Sequence, residues 1–109
     1  MYNQLEQYIT ANNIMNAVCA VGEVTFLDMT APARKSTRLN MLRGLFCYIT
    51  RDMCVHPDRA ARMLGRTRQN VINQARKYGG YLQANDKWTT TLYNSIINEL
   101  NKANEKTNL

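Results

Sequence analysis

Between Gly65 and Gly79 the chain reads Arg66-Thr67-Arg68-Gln69-Asn70-Val71-Ile72-Asn73-Gln74-Ala75-Arg76-Lys77-Tyr78, and the side chains best suited to chemistry are concentrated there. The guanidinium of Arg68 is a planar fork of donors that fits the two acceptors on a guanine edge, O6 and N7. Gln69 and Asn70 each pair a donor with an acceptor, the pattern that adenine N6 and N7 complement. Asn73 lies one helical turn beyond Gln69 and Asn70 and can face the same groove. Thr67 has the residue type of a helix N-cap and would leave the first backbone amides close to a phosphate. Arg66, Arg76 and Lys77 flank this row and suit phosphate contacts, which set register and supply salt-dependent affinity. A solvated helix face would use the same polar residues. A helix start directly after a glycine turn, inside a strongly basic stretch, favours base reading.

The elements that must hold this row follow from periodicity. Pro57 opens a short helix with Ala60, Ala61, Met63 and Leu64, and Gly65 ends it. Thr67 starts the next helix, which runs to Tyr78 with Val71, Ile72 and Ala75 turned to the core; Gly79-Gly80 is expected to stop it. Two short helices joined by a tight glycine-containing turn describe a helix-turn-helix, and the small pair Ala60-Ala61 lets the second helix approach closely. An αα-hairpin within a bundle is the plainer alternative. Upstream, residues 37–53 form a longer scaffold helix with the stripe Leu39, Leu42, Leu45, Phe46, Ile49 and Met53, leaving Arg38, Arg43 and Arg51 off it. Residues 2–11 read as a short amphipathic helix that Asn12-Asn13 break, and Asn13 caps a second helix to Gly22. Residues 23–29 hold a single helical turn, and residues 30–37 a basic loop. Trp88 and Tyr93 flank Thr89 as a staple around an N-cap, and Leu92, Tyr93, Ile96, Ile97 and Leu100 give the last helix one apolar face. Trp88 is expected in the core; exposed, it would offer a stacking face for a base. Strand-like alternation is weak outside Val21 to Phe26, so the fold class is all-α with about five to six helices. The organisation expected is an N-terminal segment 1–13, a helical domain 14–103 and a polar tail 104–109.

Composition bounds the alternatives. The 109 residues carry a net charge of +6. Residues 34–77 alone hold eleven Lys and Arg against two Asp, and nine of the eleven are Arg. A concentrated basic block is the electrostatic footprint of a nucleic-acid binder. No apolar run approaches a membrane span, no signal segment opens the chain, and no Gly-x-x-x-x-Gly-Lys-Ser/Thr loop is present. Three cysteines, Cys19, Cys47 and Cys54, are too few and too widely spaced for a disulfide framework and read as small buried hydrophobes in a reducing cytoplasm. The one histidine, His56, precedes Pro57 and reads as a helix-start residue. No metal site, cofactor or enzymatic activity is expected.

The run from Arg59 to Lys77 resembles the DNA-binding C-terminal domain (domain IV) of the bacterial replication initiator DnaA. There the corresponding stretch ends a helix with Gly, continues Arg-Asp-His-Thr-Thr-Val and closes on an Arg-Lys pair; Gly65, Arg66, Val71, Arg76 and Lys77 match. Ile14 to Val18 and Val24 to Met29 resemble that domain's first helix and its following turn, and Arg34-Lys35 falls where the family has a basic loop. The resemblance covers about residues 14–80. It implies a Trp-repressor-like helix-turn-helix, a double-stranded DNA partner, and a bacterial, nucleoid-associated, cytoplasmic location. Carried across residue by residue, the base readers fall on Thr67, Arg68, Gln69 and Asn70. Arg34 becomes the minor-groove candidate, with Lys35 and Arg38 beside it on the backbone. The reader types differ from the family's, so the resemblance implies the docking mode rather than the site. The expectation is a stand-alone, sequence-specific duplex binder in replication initiation or transcription control, without an enzymatic role and of the kind a mobile element or phage carries. The alternative is a non-enzymatic protein-interaction adaptor, in which residues 1–13 dock a partner or a second copy and the helical domain is scaffold.

Overall fold

In the computed structural model, residues 3–31 and 36–107 are described, the side chains as far as residue 103. They form six helices and no strand: α1 (Gln4–Gly22), α2 (Phe26–Thr30), α3 (Thr37–Asp52), α4 (Pro57–Leu64), α5 (Arg68–Gln83) and α6 (Lys87–Thr107). The all-α expectation holds. Val21 to Phe26, the one stretch with strand-like alternation, is the end of α1, a turn and the start of α2.

α3 is the central element, packed against α1 on one side and α5 on the other. Its expected stripe is buried except at Met53, which caps the helix and is half-buried: Leu39, Leu42, Leu45, Phe46 and Ile49 join one core with Ile14, Met15 and Val18 of α1, Met29 of α2, Leu64 of α4, and Ile96 and Leu100 of α6. Ser36 caps its start, Oγ accepting from the Leu39 amide at 3.2 Å. At its end Cys54 takes a left-handed conformation (φ 64°) and the Val55 amide donates to the Thr50 carbonyl at 2.8 Å. That turn leaves Cys54 exposed, against the expectation that all three cysteines are buried; Cys47 is buried and Cys19 half-buried.

Four boundaries differ from those expected. The break at Asn12-Asn13 is absent, and α1 runs through both residues. Asn costs a helix only about 0.7 kcal/mol or less per residue. Ala11, Ile14, Met15 and Val18, all buried, bind the two halves to one core. The N-cap is instead Asn3, whose Oδ1 accepts from the Glu6 amide at 2.8 Å while Glu6 reaches back to the Asn3 amide.

Nor do Gly79 and Gly80 stop α5, which continues to Gln83. A Cβ on Gly79 would lie 3.2 Å from the Tyr48 ring, and one on Gly44 would lie 2.2 Å from the Tyr78 ring. These glycines let α3 and α5 approach, and burial of Tyr78 carries the helix through them.

α6 starts one turn earlier than Thr89. Asp86 is its cap, accepting from the Thr89 amide at 3.0 Å and the Thr89 hydroxyl at 2.6 Å. Thr89 is thereby buried and Trp88 is turned outward, 76% exposed rather than in the core. At the far end α6 extends to Thr107, so the backbone of the expected tail is helical as far as that residue.

Candidate nucleic-acid interface

α4 is set in place at its start. The His56 Nδ1 accepts from the Asp58 amide at 3.1 Å, Pro57 occupies the first helical position, and the His56 amide donates to Gln7 Oε1 of α1 at 3.0 Å. Ala60, Ala61 and Leu64 bury the inner side. Gly65 then adopts φ 71°, ψ 35°, the left-handed conformation that turns the chain out of α4. Only Gly65, Arg66 and Thr67 separate α4 from α5. Thr67 is the N-cap, its Oγ1 accepting from the Asn70 amide at 3.1 Å.

α5 buries Val71, Ala75 and Tyr78 and exposes Thr67, Arg68, Gln69, Asn70, Asn73, Arg76 and Lys77. Gln69, Asn73, Arg76 and Lys77 fall at i, i+4, i+7 and i+8, one side of the helix. The Gln69 Nε2 donates to Asn73 Oδ1 at 3.0 Å, which aligns two planar amides side by side. Arg68 Nε stands 3.7 Å from Asp58 Oδ1, both groups half exposed. At that exposure the pair orients Arg68 without committing it, since exposed ion pairs contribute about 0–1 kcal/mol. The four residues at the start of α5 are thus turned to solvent and lie clear of the hydrophobic interior.

The cations expected on the phosphate backbone divide. Arg76 and Lys77 project from α5, the Lys77 ammonium lying 5.9 Å from the Tyr78 ring centroid. Arg34 and Lys35 lie outside the described residues. Arg38 is exposed, but its Nε and Nη2 donate to the Gly22 carbonyl at the end of α1 (3.3 and 3.2 Å).

Arg66 is a correction. Its Nη1 donates to the carbonyls of Thr30, Leu64 and Gly65 at 3.3–3.4 Å and its Nη2 to Ala31 at 2.9 Å. This guanidinium is spent on backbone, so we read it as a brace between the α4–α5 turn and the end of α2 rather than a phosphate clamp. Arg43 is a second correction. Sequence periodicity puts it off the apolar stripe, yet it is only 7% exposed. Its Nε donates to Met29 O at 2.9 Å and its Nη2 to Asp28 O at 2.9 Å and Ala31 O at 3.3 Å. The carbonyls that a short helix leaves orphaned at its C-terminus attract both guanidiniums. Burial, and then the facing Arg66 charge, lower the Arg43 pKa below its ordinary value.

Two further cations, Arg59 and Arg62 of α4, line a shallow pocket beside the start of α1. Arg62 is exposed on α4, and the Arg59 guanidinium lies 5.9 Å from the Tyr8 ring centroid. Their spacing of three around the buried Ala60-Ala61 pair is the signal that could have marked them as lying off the core side of α4, Arg59 half-buried and Arg62 exposed. Among the described residues no group of three His, Cys, Asp or Glu could hold a metal ion, and no helix is long and apolar enough to cross a membrane. Compared with known proteins, the sequence matches no protein-family model and, at a significant level, no curated protein.

Proposed function

We propose that the chain is a sequence-specific double-stranded DNA-binding protein of the replication-initiator domain IV type, acting in replication initiation or transcription control. α5 enters the major groove, with Thr67, Arg68, Gln69, Asn70 and Asn73 toward base edges and Arg76 and Lys77 toward phosphates. The observation that carries the reading is the row of planar polar side chains on the exposed side of the first two turns of α5, directly after the left-handed Gly65. A recognition helix meets base edges through its N-terminal residues, and the surrounding arginines supply the attraction to the duplex.

Selection of bound duplexes from a random pool tests this directly. One motif should be enriched, and affinity for it should fall steeply with salt. R68A should weaken binding to that motif by about 1–3 kcal/mol and relax the preference at one base pair. A pool without enrichment, or an R68A protein that selects the same motif with wild-type affinity, contradicts the reading.

A second reading, a non-enzymatic protein-interaction adaptor, is favoured by one observation. Leu5, Tyr8 and Ile9 of α1 and Phe26 and Leu27 of α2 are all exposed, Leu27 at 77%. A pull-down that loses its protein partner with L5E/I9E, from a chain that selects no duplex, would replace the first reading with this one.

A further inference from the structure

A groove of about 870 Å³ lies at the opposite end of α5 from the reading row, where that helix meets the start of α6, the end of α1 and the start of α3. Its lining is aromatic: Tyr78, Tyr81 and Trp88. Tyr78 and Tyr81 meet edge to face with ring centroids 5.2 Å apart, so the Tyr81 ring is held while remaining exposed. Trp88 is held too. Thr89, the next residue, is buried and doubly hydrogen-bonded to Asp86, and this anchors the first turn of α6 with the indole outward.

We propose that this groove binds an unpaired nucleic-acid strand, with a base stacked on Trp88. An exposed tryptophan beside a second exposed ring is the stacking platform of proteins that hold single strands, because every base presents a π-face. The charge around the groove suits the backbone of such a strand. Arg38 lines it and donates only two of its guanidinium protons to Gly22 O, both at 3.2–3.3 Å. Lys87 is exposed next to Trp88. Asp86 is the one carboxylate in the lining, and its Oδ2 is engaged by Thr89. From Arg68 to Tyr81 the rise of α5 is about 20 Å, so the groove is separate from the duplex-reading row and does not rest on it.

Trp88 is the only tryptophan in the chain, so tryptophan-selective fluorescence reports this groove alone. The full-length protein is titrated with an oligothymidylate of about 12 nucleotides, within the span that single-strand sites cover. The same protein is titrated with a duplex of equal length and with thymidine monophosphate. Saturable quenching by the oligonucleotide, weakened by salt, is the expected result. W88A should bind a labelled oligothymidylate about 5- to 150-fold more weakly, the loss of one stacked base, while W88F keeps most of the affinity. R68A should bind it as the wild type does. Circular dichroism should show W88A folded, since the indole is exposed.

The proposal is overturned if the oligonucleotide leaves the fluorescence unchanged, if W88A binds it as the wild type does, or if the mononucleotide quenches equally well per nucleotide. A chain that selects no duplex yet is quenched by the oligonucleotide removes the duplex reading and keeps this one. A chain that selects a duplex but shows no quenching does the reverse.

Discussion

Arg43 and Arg66 show how much a residue's surroundings decide its use. Both are arginines in a basic stretch, and both are drawn to the carbonyls at the end of α2. Replacing Arg43 with Met keeps much of the volume and removes the donors, leaving carbonyls of Asp28 and Met29 without those partners. R43M should lower unfolding stability by about 2–3 kcal/mol in urea titrations, the scale of lost hydrogen bonds to a charged group. The cysteines make a second test at this scale. Burial pushes the Cys47 thiol up to about 12, with the Arg66 charge opposing only part of that rise. Since the thiolate is the reactive form, Cys47 should resist alkylation in the folded protein even near pH 9. Exposed Cys54 should label first, and Cys19, half-buried with its pKa raised by burial and by Asp28, more slowly. Mass spectrometry after brief labelling, with and without urea, reads that order.

At the scale of the element, three glycines that look alike in sequence have different roles. Gly44 and Gly79 bring α3 and α5 together, whereas a Cβ on Gly80 meets nothing within 4 Å. G80A should therefore stabilise the protein by about 0.5–1 kcal/mol, the helix preference of Ala over Gly. G44A drives a methyl group into the Tyr78 ring and should cost about 1–3 kcal/mol. Thermal melts of the two variants should move in opposite directions. Loss of stability in G80A would mean that α5 does not run unbroken through the glycine pair. The apolar stripe of α3, the Thr67 cap, the Pro57 start and the Gly65 turn were all legible in the sequence, because each depends on residues at most a few positions apart. Helix ends were less legible. Asn12-Asn13, Gly79-Gly80 and Thr89 carry local signals to stop or start, but buried neighbours on other helices outweigh them in the first two cases and Asp86 makes the better cap in the third.

For the whole molecule, the proposed reading row and the aromatic groove occupy the two ends of α5. Duplex binding should depend on salt through the cations left uncommitted at the surface. Removing Arg76 should weaken all duplexes to a similar degree and reduce the slope of log affinity against log salt by about one. The slope is measured by repeating the affinity titration at several salt concentrations. An unchanged slope in R76A would take that residue off the phosphate backbone. Removing Arg66 should instead destabilise the fold, because its contacts are internal.

From the sequence alone came the all-helical class, the two helices around the Gly65 turn, and the row of side chains able to read base edges. Those features are written in short-range spacing, which local backbone geometry converts directly into structure. Only the tertiary structure decided which cations stay at the surface, that Asn12-Asn13 and Gly79-Gly80 lie inside helices, and that Trp88 stands in a groove instead of the core. The first two outcomes depend on groups far apart in the chain: the orphaned carbonyls at the end of α2, the core that runs through α1, and the close approach of α3 and α5. Trp88 is settled nearer by: Asp86, three residues before Thr89, takes the cap in its place, and burial of Thr89 against the rest of the fold leaves the indole outside.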